Sequence, residues 1–204
     1  MSEPTTISAA LVKELRELTG AGMMDCKNAL IETGGDLARA QEILRTKGLA
    51  GAAKRAGRHA KEGVVDSYIH LEGRIGAMVE VNSETDFVAR TDDFRRLARE
   101  VAMQVAARPE TRWITVDDVP EDVIESERKI YAEKAASDGK PENIIDRIVD
   151  GQLQSFFKET VLLEQPYIRD DSKTVRDLVT EVASKVGENV VVRRFARFQL
   201  GEEA

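Results

Sequence analysis

The sequence predicts an α+β protein. Three short helices come first, then an antiparallel three-stranded sheet packed with helices, from which an antiparallel helical hairpin projects. Three observations carry this. Apolar residues recur at three- and four-residue intervals over residues 7–48, the period of a half-buried helix. Residues 65–81 instead alternate about a short turn, the period of strands. Two charged helical segments of similar length flank Asp138-Gly139-Lys140-Pro141, which reads as a helical hairpin at about 120–160. The expected division is a module over 1–50, a linker over 51–62 and a core domain over 63–204.

Ser8 is placed to cap the first helix, and Ile7 with Val12 fits the hydrophobic-staple spacing. Leu11, Val12, Leu15 and Leu18 form its apolar stripe. Thr19-Gly20-Ala21-Gly22 ends it, with Gly20 suited to the left-handed cap conformation. The second helix runs from about Met23 to Ile31 and stops at Gly34-Gly35. Asp36 caps the third, which carries Leu37, Ala40, Ile43 and Leu44 and ends at Gly48. About forty residues make a marginal core, so a module of this size normally carries a binding face. Met23 and Met24 are adjacent and point to different sides of a helix. Either one packs inside while the other covers the loop, or the pair meets a partner, for which soft methionine is suited.

Residues 49–62, rich in Ala, Gly, Lys and Arg, read as a linker whose basic run Lys54-Arg55…Arg58…Lys61 is solvated. Val65, Ser67, Ile69 and Leu71 alternate up one strand, Glu72-Gly73-Arg74 turns, and Ile75, Ala77, Val79 and Val81 return. Thr91-Asp92-Asp93 starts a helix with Phe94, Leu97, Ala98, Val101, Met103 and Val105. Pro120 opens the first helix of the hairpin, with Val123, Ile124, Ile130 and Tyr131 on its stripe. Ile144, Ile145, Ile148, Leu153 and Phe156-Phe157 return on the second. Gln165–Ser172 is an irregular crossing. A helix over 174–186 ends at Gly187. The last strand, 190–200, turns Val190, Val192, Ala196 and Phe198 to the core and Arg193 and Arg197 away.

The alternating pattern stops at Ser83-Glu84-Thr85-Asp86, two hydroxyls and two carboxylates suited to a turn and a helix start. Phe87 follows directly. A bulky aromatic at a polar strand-to-helix junction either plugs its own core, the commoner destination, or protrudes into a partner.

Composition removes several function classes. The net charge is −7, so binding to a phosphate backbone is disfavoured. The chain has no apolar run near the ~20 residues of a membrane span and no secretory signal, and its one cysteine, Cys26, rules out an internal disulfide framework and a cysteine-based metal cage. A cytoplasmic protein is expected. The sequence contains no P-loop, Gly-x-Gly-x-x-Gly, His-Glu-x-x-His or Gly-x-Ser-x-Gly. His59 and His70 stand apart from Cys26, and the Ser83–Asp86 turn does not match a calcium-loop spacing. Neither an enzyme nor a bound cofactor is expected.

Two stretches together carry a resemblance. Residues 15–30, Leu-Arg-Glu-Leu-Thr-Gly-Ala-Gly-Met-Met-Asp-Cys-Lys-Asn-Ala-Leu, resemble the N-terminal signature of the translation elongation factor Ts family. Residues 80–90, Glu-Val-Asn-Ser-Glu-Thr-Asp-Phe-Val-Ala-Arg, are similar to its second signature, and Ser137–Pro141 and Gly187-Glu188-Asn189 also look alike. The resemblance implies a guanine-nucleotide exchange factor for elongation factor Tu. It implies that the first three helices are a ubiquitin-associated-like module docking on that GTPase, with Arg16, Met23 and Met24 in contact positions. Thr85, Asp86, Phe87 and Val88 match the segment that disturbs the partner's magnesium site, with Phe87 as the wedge. The chain looks like the short form of the family, which completes its contact surface as a homodimer through the core domain. The rival expectation is a helical adaptor that binds some other protein.

Overall fold

The computed structural model describes residues 7–202. The chain divides into two compact units. One comprises the chain up to Val64 with Asn82–Leu97 and Val179–Val191; the other comprises Val65–Val81, Ala98–Leu178 and the chain from Val192 onward.

The first unit opens with α1 (Ala9–Thr19), α2 (Met23–Glu32) and α3 (Leu37–Arg55). Ser8 caps α1, its Oγ accepting the Leu11 N–H at 3.1 Å, and Asp36 caps α3 by accepting the Arg39 N–H at 3.0 Å. Gly20 takes φ 67° and donates its N–H to the Arg16 carbonyl at 2.7 Å. Val12, Leu15, Cys26, Ala29, Leu30, Ala40 and Leu44 form the core. Leu18, expected on that stripe, is exposed, one turn beyond Leu15, where the contribution of α1 to the core ends.

α3 also departs from expectation: it runs through Gly48 to Arg55, so residues 51–55 are helical. A glycine inside a helix costs only about 1 kcal/mol against alanine, which tertiary contact readily offsets. Here the missing side chain permits a close approach, since a Cβ on Gly48 would lie 2.6 Å from Ser184 Oγ. The basic run beyond is anchored rather than merely solvated. Arg55 Nη2 donates to the Ala183 carbonyl at 3.3 Å, and Asn189 Nδ2 donates to the carbonyls of Ala56 and Arg58 at 3.3 and 2.8 Å.

Strands β1 (Glu62–His70), β2 (Ile75–Ser83) and β5 (Val191–Gln199) form an antiparallel sheet in the order β1-β2-β5. Ala77, Val79 and Val81 are buried, as their alternation predicts. Within the second unit, helix α5 (Asp92–Ala107) is hydrogen-bonded to the sheet at two points. Arg99 donates to the Ser67 carbonyl and pairs with Asp66 at 3.6 Å, and Arg197 Nε donates to the Ala106 carbonyl at 3.4 Å. Val65, Ile69 and Met78 lie exposed. Leu71 leaves the strand because it and Glu72 take left-handed φ values of 48° and 53° in the turn. The expected facing of β5 holds at Val190, Val192 and Arg193 and fails at Ala196, Arg197 and Phe198. Arg193 and Arg194 are consecutive exposed residues, so the alternation slips by one and every later side chain changes face. The side chain of Arg197 is only 9% exposed, held by Gln199 at 2.6 Å and Glu202 at 2.9 Å, while Phe198 is 71% exposed.

Helices α6 (Glu121–Ser137) and α7 (Glu142–Thr160) form the predicted antiparallel pair, reversing at Gly139 with φ 70°. Their seam is Val119, Val149, Leu153, Phe157 and Val161, with Val123, Ile124 and Tyr131 partly buried against it. Burial and the neighbouring Glu127 push the Tyr131 hydroxyl up to about 12. Ile130 and Ile144, expected on the stripes, are exposed. The crossing after α7 is more ordered than expected: β3 (Pro166–Tyr167) pairs with β4 (Asp170–Thr174) before α8 (Val175–Val186). Two residues of β3 and the polar Asp-Asp-Ser-Lys-Thr of β4 are too short and too hydrophilic to show a strand period.

Gln165, fully buried, ties this region together. Its Nε2 donates to Thr111 Oγ1 at 2.7 Å and to the Glu159 carbonyl at 2.9 Å, and its Oε1 accepts from Gln104 Nε2 at 2.9 Å. Gln165→Ala leaves the buried Thr111 and Gln104 side chains and the Glu159 carbonyl without this partner. It should lower unfolding free energy by about 2–4 kcal/mol. The check is a lower urea midpoint at unchanged m value; a loss under about 0.5 kcal/mol would contradict the network's role.

Candidate partner-binding site

The residues singled out in sequence all fall in the first compact unit. β2 ends in a turn whose Ser83 is fully buried, with its Oγ donating to the Thr85 carbonyl at 2.9 Å. Thr85 then caps a single-turn helix, α4 (Asp86–Ala89), accepting the Val88 N–H at 3.4 Å. Asp86 pairs with Arg90 at 2.7 Å, one turn along. Thr91 closes the segment: its Oγ1 donates to the Val88 carbonyl at 2.7 Å and accepts the Phe94 N–H at 3.4 Å, which starts α5. Val88 is half-buried beneath. Phe87, at the second position of α4, is 78% exposed. Of the two destinations open to that ring, the structure puts it outside.

The turn is held by the Gly187-Glu188-Asn189 run, to which the sequence assigned no role. Glu188, just past α8, accepts the N–H groups of Glu84 and Thr85 at 3.1 and 3.0 Å and the Thr85 hydroxyl at 2.6 Å. In the opposite sense, Glu84 Oε1 accepts the Asn189 N–H at 2.6 Å and lies 3.5 Å from Arg58 Nη1. Both carboxylates of the acidic turn are therefore engaged by the protein itself: Glu84 by Asn189 and Arg58, Asp86 by Arg90. The Gly187-Glu188-Asn189 run was the only available signal, because contacts across a hundred residues leave no local period.

The methionine pair opens α2, whose N-cap Gly22 makes no side-chain cap bond. Met23 is 47% and Met24 63% exposed, and neither belongs to the core of the three helices. Arg16 is exposed on the last turn of α1. Lys185 of α8 connects this module to the turn's neighbourhood. Its stem lies against Gly20, where a Cβ would be 2.9 Å from Lys185 Cδ, and its ammonium pairs with Asp93 at 2.7 Å. Gly20 is thus needed both for its left-handed φ and for room. Among the described residues, no group of three or more His, Cys, Asp or Glu is placed to hold a metal ion, and no helix is long and apolar enough to cross a membrane.

A family described as Elongation factor TS matches residues 52–202, from the end of α3 through β5. The chain belongs to the elongation factor Ts family. An Elongation factor Ts of Caldanaerobacter subterraneus subsp. tengcongensis is 60% identical over 196 residues, which cover 96% of this chain and 98% of the relative. Those of Coprothermobacter proteolyticus and Fervidobacterium nodosum are 59% and 54% identical, each over 96% of this chain and 99% of the relative. Elongation factor Ts membership makes this protein a translation elongation factor, with the mixed helix and sheet fold expected of it.

Proposed function

We propose that this elongation factor is a guanine-nucleotide exchange factor that binds elongation factor Tu–GDP, disturbs the magnesium and phosphate site of that GTPase and promotes GDP release in the cytoplasm. The observation that carries the reading is Phe87, 78% exposed on a segment fixed by hydrogen bonds on both sides. A large apolar ring held rigidly in water contributes little to its own fold and is pre-organised for burial elsewhere. Thr85, Asp86 and Val88 frame it. Arg16, Met23 and Met24 supply the docking contacts of the N-terminal module, which the family resemblance makes ubiquitin-associated-like.

The exchange requires no covalent step. GDP leaves a GTPase slowly because the phosphates, the backbone cradle and magnesium all hold it. A second protein lowers that affinity only by binding the nucleotide-free form better, and the nucleotide weakens the factor by the same ratio. Phe87 supplies the preference by entering an apolar slot that opens when the magnesium-side element moves. Substoichiometric protein should accelerate the release of fluorescent GDP from elongation factor Tu; release at the intrinsic rate would overturn the reading.

We further propose that two copies associate through the sheet face carrying Val65, Ile69, Met78 and Phe198, all exposed in the second compact unit. Large apolar side chains left exposed on a sheet suit burial in an interface. Light scattering should return twice the chain mass of 22.6 kDa. Met78→Asp with Phe198→Asp should return a single copy, because two carboxylates cannot be buried unpaired in a self-complementary interface. A wild-type mass of one chain would contradict the dimer.

A further inference from the structure

We propose that Glu188 is the positioning residue for the Phe87 segment, an inference that rests on the exchange reading above. Its carboxylate is the meeting point of three donors: the Glu84 N–H, the Thr85 N–H and the Thr85 hydroxyl. Consecutive backbone amides aimed at one point form an anion-binding concavity, and here the chain fills it with its own side chain. The Thr85 hydroxyl is shared. It donates to Glu188 Oε1 at 2.6 Å and accepts the Val88 N–H at 3.4 Å, the bond that starts α4. Glu188 therefore fixes Thr85, Thr85 fixes the first turn of α4, and that turn fixes the direction of Phe87.

The support behind Glu188 is equally specific. Gly187, at φ 74°, ends α8 in the left-handed conformation and lets the next residue turn back toward the strand end. Asn189 donates its N–H to Glu84 and its side-chain amide to the carbonyls of Ala56 and Arg58 beyond α3. The turn and the residues just beyond α3 are thus tied together through Asn189. Asp86 and Arg90 act only within α4, so they do not fix its orientation against the rest of the unit.

Glu188→Ala should slow GDP release from elongation factor Tu by roughly fivefold, the loss expected if the segment keeps its presented geometry about one-fifth of the time. Glu188→Gln should restore most of the rate. Its amide oxygen accepts both backbone N–H groups, and its NH2 donates to the Thr85 hydroxyl, which is an acceptor as well as a donor. Glu188→Asp keeps the charge but withdraws the acceptor by one methylene, and should slow release by about twofold while leaving the fold secure. The decisive step repeats Glu188→Ala in a Phe87→Ala background, where it should add nothing. If Phe87→Ala alone leaves release unchanged, the exchange reading fails. If Phe87→Ala slows release but Glu188→Ala does not, or slows it equally with and without the ring, Glu188 is not the positioning residue.

Discussion

On the proposed exchange activity, replacing Phe87 with alanine should slow GDP release from elongation factor Tu by about ten- to a hundredfold. The figure follows from burying a phenylalanine in the exchange intermediate, about 1.5–3 kcal/mol, with 1.4 kcal/mol for each decade. Stability should be unchanged, because the ring is 78% exposed and its removal leaves no cavity. Circular dichroism and thermal unfolding check the fold, and stopped-flow release of fluorescent GDP checks the rate. Docking proposed for the N-terminal helices should persist, so saturating factor should not rescue the variant if the ring acts on the step and not on the encounter. A variant releasing GDP at the wild-type rate would remove the wedge from the account.

Met23→Asp with Met24→Asp tests the proposed docking contact. It should weaken binding to nucleotide-free elongation factor Tu by about a hundredfold or more, since two carboxylates would enter an apolar contact without partners. The module should still fold. Its core of Val12, Leu15, Cys26, Ala29, Leu30, Ala40 and Leu44 includes neither methionine. Acidic residues also suit the first turn of α2, where they face the positive end of the helix dipole. Isothermal titration calorimetry measures the affinity. An unchanged dissociation constant would mean that the pair serves only to cover its own loop.

These two variants should separate capture from release, and the separation would follow the local physics of each place. The methionines stand at a helix start whose cap is a glycine with no side-chain bond. Phe87 stands on a segment held by Thr85, Thr91 and Glu188. Soft side chains can adapt to a partner's surface, whereas a ring that must open a slot needs a fixed direction.

Much of this was legible in the sequence because it is written in local period and local caps. The stripe of α1 and α2, the caps at Ser8 and Asp36, the alternation of Ala77, Val79 and Val81, and the Gly139 reversal each need only a few neighbouring residues. The failures have more than one cause, and contact between distant parts of the chain is the chief of them. Gly48 reads as a stop until Ser184 is seen beside it. Arg197 and Phe198 exchange faces because the strand slips at Arg193 and Arg194, and one residue of slip inverts a period of two. β3 and β4 are too short to show any period. At the site itself, the acidic turn and the aromatic were plain, but the exposure of Phe87 was open on composition alone. The carboxylate that steadies the turn comes from Glu188, about a hundred residues away, where no spacing rule reaches.

The most direct test is the ratio of this protein's affinity for nucleotide-free elongation factor Tu to its affinity for the GDP-bound form, measured for the wild type and for Phe87→Ala. Reciprocity makes that ratio the factor by which the protein loosens GDP. Phe87→Ala should shrink the ratio by at least about tenfold, chiefly through weaker binding to the nucleotide-free form. The same ratio in both proteins would show that the exposed ring has no part in displacing the nucleotide.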